Sequence, residues 1–140
     1  GPAVIAGLTD RKKRSGERSL FLKCRKGDPY YGFVQRVPVE EGKTYRLSAY
    51  LINGSGEEAL TGKSHGSLSL QWRGRRGPEI SRVESGSWGV GLSDSEWQRF
   101  AVEGKAPPGA RYCSCAITLF SSGSKGKGIF YIDDCEFELS

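Results

Sequence analysis

A chain of 140 residues with a formal net charge of +5 is the length of one ordinary domain and can bury a core. Twenty glycines, six prolines and no methionine, with β-branched and aromatic residues spread throughout, favour a turn-rich all-β protein over a helical one, and no apolar run is long enough to cross a bilayer. The basic excess admits an anionic polysaccharide, a nucleic acid or a membrane surface as partner, without choosing among them.

In chain order, Gly1-Pro2 reads as the scar of an engineered protease site, so residues 3–140 are expected to be one domain cut from a larger protein. The basic run Arg11, Lys12, Lys13, Arg14 is expected in a floppy N-terminal segment. Strands are predicted near Ser19 to Cys24, Tyr31 to Val39, Thr44 to Ile52, Ser67 to Arg73, Trp97 to Val102, Arg111 to Phe120 and Gly128 to Leu139. A weaker one falls at Glu79 to Val83 or Trp88 to Val90. Turn chemistry separates them, as at Asn53-Gly54-Ser55-Gly56 and Ala106-Pro107-Pro108-Gly109. No repeat or linker divides the chain. The expected architecture is a single antiparallel β-sandwich of about eight strands.

The stretch Tyr31 to Leu51 is the most informative. It reads as two strands joined by a short turn at Glu40-Glu41-Gly42. Tyr45, Leu47, Ala49 and Leu51 recur at period two and form a face to bury. The opposite face carries Arg46, Ser48 and Tyr50, side chains suited to gripping a polar, ring-shaped ligand. In the next strand Leu68, Leu70 and Trp72 share the inward face, which leaves Gln71 and Arg73 outward. Phe120 and Thr118 are likewise out of phase with Ile117 and Leu119. Trp88 lies in a Gly/Ser-rich loop and is either a binding residue or edge packing. Trp97 reads as packing.

Cys24, Cys113, Cys115 and Cys135 all fall at inward positions and read as buried thiols, with a Cys24–Cys135 bridge open. A single histidine, His65, argues against zinc. No nucleophile–base pair is visible. Glu40-Glu41, Glu57-Glu58 and Asp133-Asp134 are neighbours that would point to opposite faces of an extended strand, so no enzyme is expected.

The pattern Ser15-Gly16-Glu17-Arg18-Ser19-Leu20, Tyr31-Gly32-x-x-Gln35, Gly42-x-Thr44-Tyr45-x-x-Ser48-Ala49-Tyr50 is joined by Leu68-x-Leu70-x-Trp72, Glu96-Trp97-Gln98-Arg99-Phe100, Pro107-x-x-Ala110 and Tyr131-Ile132-Asp133-Asp134-Cys135. Together they resemble the jelly-roll carbohydrate-binding modules of the family 4/9, 16 and 22 type. The resemblance implies a jelly roll, a polysaccharide or oligosaccharide ligand, and a ligand platform at Tyr31 with Tyr30 as its alternative. It also implies a secreted or cell-surface, monomeric module that targets the glycoside hydrolase or polysaccharide lyase domain of its own parent chain. With Arg73, Arg75 and Arg76 near the site, an acidic or sulfated glycan is favoured. A structural calcium ion held partly by Asp133 and Asp134 is implied as well. The family's opening Asn-Gly-x-Phe-Glu-like strand is missing from residues 3–14, where Val4-Ile5-Ala6 is a degenerate version or the strand has been trimmed. A ligand-free structural sandwich and a single-strand nucleic-acid binder are the alternatives.

Overall fold

Alternating apolar and polar residues become nine strands in the computed structural model, which describes residues 6–9, 11–16, 19–24, 30–120 and 126–140. They are β1 (Ala6–Thr9), β2 (Ser19–Cys24), β3 (Tyr30–Pro38), β4 (Thr44–Asn53), β5 (His65–Arg73), β6 (Glu79–Glu84), β7 (Gln98–Lys105), β8 (Tyr112–Phe120) and β9 (Gly128–Leu139). One sheet has five strands in the order β1-β2-β9-β4-β7, and the other has four in the order β3-β8-β5-β6. Every pairing is antiparallel. The all-β sandwich expected from the sequence is the observed architecture.

The inward faces meet in one core. Tyr45, Leu47, Ala49 and Leu51 of β4 join Leu68, Leu70 and Trp72 of β5 and Cys113, Cys115, Ile117 and Leu119 of β8 in the same buried cluster. Burying a side chain of this size contributes about 1.5–3 kcal/mol. The Tyr45 ring stacks on Phe137 at 5.3 Å and tilts toward Trp72 at 6.2 Å.

Three features depart from the sequence reading. The Glu40-Glu41-Gly42 turn closes with the Lys43 N–H donating to the Glu40 carbonyl (3.3 Å) and Gly42 at φ +86°. It does not make a hairpin, because β3 belongs to the four-stranded sheet and β4 to the five-stranded one. A ninth strand, β1, pairs with β2 through Ala6, Gly7, Leu8 and Thr9, while Val4 and Ile5 lie outside the described residues. Of the two weak candidates, Glu79–Glu84 forms a strand and Trp88 makes only an isolated bridge to Gly66.

The thiols of Cys113 and Cys115 are buried and free, and that of Cys135 is free and exposed. Cys115 donates to the Cys113 sulfur (3.9 Å), which raises the Cys115 pKa and lowers that of Cys113. Cys24 sits opposite Gly128, seven residues before Cys135 on β9, too far along the strand for the bridge left open above.

Candidate functional site

The outer face of the four-stranded sheet has a floor of small residues between taller side chains. Ser67 and Ser69 of β5 and Ser114 and Ala116 of β8 point away from the core and are nonetheless buried. Val34 and Arg36 flank this floor on β3, with Val34 63% exposed, and Arg82 and Glu84 flank it on β6. The result is a trough along β8, roughly 27 Å from Tyr112 to Phe120 at about 3.4 Å per residue.

One end of the trough is polar and basic. The Arg73 guanidinium donates through Nε to Ser114 Oγ (2.8 Å), through Nη1 to the Gly77 carbonyl (3.0 Å) and through Nη2 to Gln71 Oε1 (3.3 Å). Gln71 in turn donates to Ser69 Oγ (3.0 Å). Three of the five guanidinium N–H groups are thereby committed, which fixes the fork with two still available. The Arg36 guanidinium stacks 4.0 Å from the centre of the Tyr112 ring. Arg111 lies alongside, its N–H donating to the Arg73 carbonyl (2.8 Å), and Arg75 and Arg76 stand exposed in the β5–β6 turn. On the edge strand Arg82 grips Glu79 with both nitrogens (3.1 and 2.5 Å), which lowers the Glu79 pKa.

The other end is aromatic. Phe120 and His65 are cross-strand partners whose rings stack at 4.9 Å, 18° from parallel. His65 Nδ1 is 3.0 Å from the Lys63 carbonyl. Tyr30 pairs by backbone with Phe120, and Tyr31 with Leu119. The side chains of both tyrosines lie outside the described residues.

Gln71, Arg73 and Phe120 therefore share this face, but Arg46, Tyr50 and Trp88 do not. Arg46 and Tyr50 project from the outer face of the five-stranded sheet. Arg46 is ion-paired there with Glu103 (3.5 Å) and Glu138 (3.8 Å). Tyr50 lines a cleft of about 420 Å³ with Ser48, Arg99 and Glu136, and its ring is covered by Arg14, whose Cζ lies 3.6 Å from the ring centre. The cause is the turn at Glu40, which moves the chain from one sheet to the other between Tyr31 and Tyr50. Trp88 is a second correction. It is 3% exposed, packed against Phe100 (4.8 Å) and Phe130 (5.3 Å), and so belongs to the core. The sequence reading missed His65, Tyr112, Arg36, Ser114 and Arg82. Strand phase flagged Thr118 and Phe120 as outward, and carried along the same strand it would have found Ser114 and Tyr112.

The basic run at residues 11–14 is a strap over the five-stranded sheet. Arg11 pairs with Glu58 (2.5 Å). Lys12 Nζ donates to the Asn53 carbonyl (2.7 Å), Ser55 Oγ (2.7 Å) and the Asp94 carbonyl (3.1 Å). Arg14 pairs with Asp134 (2.6 Å). The expectation of a floppy basic tail is thus overturned, because these cations have partners within the domain.

Asp133 and Asp134 sit at a bulge in β9, where the register against β4 slips and Asp134 adopts φ +47°. Asp133 Oδ2 accepts the N–H groups of Arg14 (2.7 Å) and Ser15 (3.0 Å), and Oδ1 accepts the Asp134 N–H (2.8 Å). Asp134 Oδ2 accepts from Arg14 Nη1 and Oδ1 from the Ser15 hydroxyl, both at 2.6 Å. Calcium takes six to eight oxygens. All four carboxylate oxygens here already face protein hydrogens, and among the described residues no three His, Cys, Asp or Glu side chains converge to hold a metal. The pair does not fit a calcium site.

No family model and no curated protein matches the sequence. Solved structures do match. The enzymatically active domain of tailspike protein 4 from bacteriophage CBA120 superposes with TM-score 0.73 at 15% identity, over 96% of this chain and 18% of that one. The xylan-binding domain CBM22-1 from Paenibacillus barcinonensis gives TM-score 0.66 at 15% identity, covering 96% of this chain and 80% of that one. A family 16 carbohydrate-binding module gives 0.60 at 16% identity, covering 96% and 85%. The fold is that of the carbohydrate-binding jelly rolls. At these identities the likeness extends to architecture alone, and the jelly roll implied by the sequence resemblance is the one observed.

Proposed function

We propose that this domain is a non-catalytic carbohydrate-binding module whose ligand lies along the outer face of the four-stranded sheet. The carrying observation is the trough, with a floor of small residues, a preset arginine–glutamine network at one end and stacked rings at the other. Aromatic faces cover the C–H surface of a sugar, and fixed amide and guanidinium groups engage its hydroxyls. A face roughly 27 Å long suits several consecutive residues of a glycan chain. Arg73, Arg36, Arg75, Arg76 and Arg111 favour a glycan bearing carboxylate or sulfate, because guanidinium pairs bidentately with both. Fused to a hydrolase or lyase in a secreted parent, such a module raises the effective concentration of the catalytic domain at its polymer.

Gel-retardation of the whole chain on uronate-rich, sulfated and neutral polysaccharides tests this reading. Retention is expected on an anionic polymer, with Arg73→Ala and Gln71→Ala each weakening it on the order of tenfold, a loss of about 1.4 kcal/mol, and Tyr50→Ala leaving it unchanged. Retention lost with Tyr50→Ala but kept with Arg73→Ala would place the ligand on the other sheet. Binding to neutral polymers alone would remove the anionic preference.

A further inference from the structure

The bulge in β9 turns two consecutive carboxylates toward the same strap, where Arg14 meets Asp134 with its guanidinium and Asp133 with its backbone N–H. We infer that Arg14 serves as a built-in counterion, fastening the N-terminal segment to the five-stranded sheet so that Asp133 and Asp134 are held without a divalent metal. Three observations carry this, independently of any reading of the trough. First, each of the four oxygens of Asp133 and Asp134 is met by a hydrogen of the chain, from the backbone of Arg14, Ser15 and Asp134, the Arg14 guanidinium and the Ser15 hydroxyl. Asp133 Oδ2 has both lone-pair positions taken, and a metal ion approaching the other three oxygens would stand beside the Arg14 cation.

Second, the Arg14 guanidinium is a planar cation that uses both its edge and its face. Its edge bonds Asp134 at 2.6 Å and its face lies 3.6 Å from the centre of the Tyr50 ring. A hydrated spherical ion cannot stack in this way. Third, the attachment continues along the strap. Lys12 caps the Asn53 and Asp94 carbonyls and lies 5.7 Å from the centre of the Tyr131 ring, and Arg11 pairs with Glu58. Cations at three positions thus replace one central ion, and each meets a different strand or loop.

The test is thermal unfolding of the whole chain with chelator and with added calcium, beside Arg14→Ala and Lys13→Ala. The midpoint is expected to be the same in chelator and in calcium. Arg14→Ala should lower it by about 3–6 °C, while Lys13→Ala leaves it in place. A midpoint that falls in chelator and recovers with calcium overturns the inference, as does an Arg14→Ala midpoint equal to that of the parent. Limited trypsin digestion adds a readout that reports the strap itself. Asp134→Asn keeps every cleavage site, and cutting after residues 11–14 should accelerate several-fold. An unchanged cleavage rate would show that the carboxylate does not hold the segment.

Discussion

Gly66 and Trp88 exchange two backbone hydrogen bonds, at 2.8 and 3.0 Å, and the Trp88 indole fills the space that a side chain on Gly66 would need. A Cβ there would come 2.5 Å from the indole Cε2 and Nε1 and 2.7 Å from Cζ2. Gly66→Ala must push the indole out of its place between Phe100 and Phe130. We expect a loss of about 1–3 kcal/mol, measured by urea unfolding. An unchanged midpoint would mean that the indole has room to move.

Trp88 itself follows from the same contact. Trp88→Ala should cost about 3–5 kcal/mol, enough to leave much of the chain unfolded. Its Nε1 is buried with no hydrogen-bond partner among the described residues, so Trp88→Phe gives up no polar contact seen there and should cost clearly less than the alanine variant. Equal losses for the two would show that the indole N–H does find an acceptor.

Asn53 joins two loops at the end of β4. Its Nδ2 donates to the Leu92 carbonyl and its Oδ1 accepts the Leu60 N–H, both at 3.0 Å in a buried setting. Asn53→Ala strands a buried carbonyl and a buried N–H, each worth about 1–3 kcal/mol. Equilibrium unfolding should show a loss near the sum, while polysaccharide retention per folded molecule stays unchanged.

The Asp134 clasp is acid-labile. Ser15 and, next, Arg14 hold its pKa below the ordinary aspartate value, which is about 3.9. The unfolded chain therefore takes up the proton first on acidification. The stabilisation is complete above the unfolded value and is lost as pH falls through the lower folded one. Asp134→Asn should be less stable than the parent at neutral pH, and the gap should close below about pH 4. A gap that persists into strong acid would mean that the charge plays no part.

Much of this fold was legible in the sequence because strand phase is a local property. Leu68, Leu70 and Trp72 announce an inward face wherever their strand lies, and Gln71 and Arg73 are outward by the same count. Which sheet a strand joins is not local. The turn after Glu40 looks the same whether it closes a hairpin or passes between sheets, so Tyr50 seemed to share a surface with Gln71. Loop exposure misled for Trp88, because Gly66 opens a slot in the core that only the folded chain brings opposite it. The basic run misled similarly. Its partners Glu58, Asp94 and Asp134 are 47, 82 and 120 residues distant, and no local pattern connects them.

The bulge at Asp133 and Asp134 also sets the phase of everything after it in β9. Phe130 and Ile132 face the core before it, and Phe137 packs against the core after it, an odd-numbered position where an even one would be due. Removing a single residue at the bulge would restore unbroken alternation along β9 and keep Phe137 inward, but it would take away the kink that aims both carboxylates at residues 14 and 15. The extra residue therefore serves the attachment of the strap and not the packing of the core beyond it.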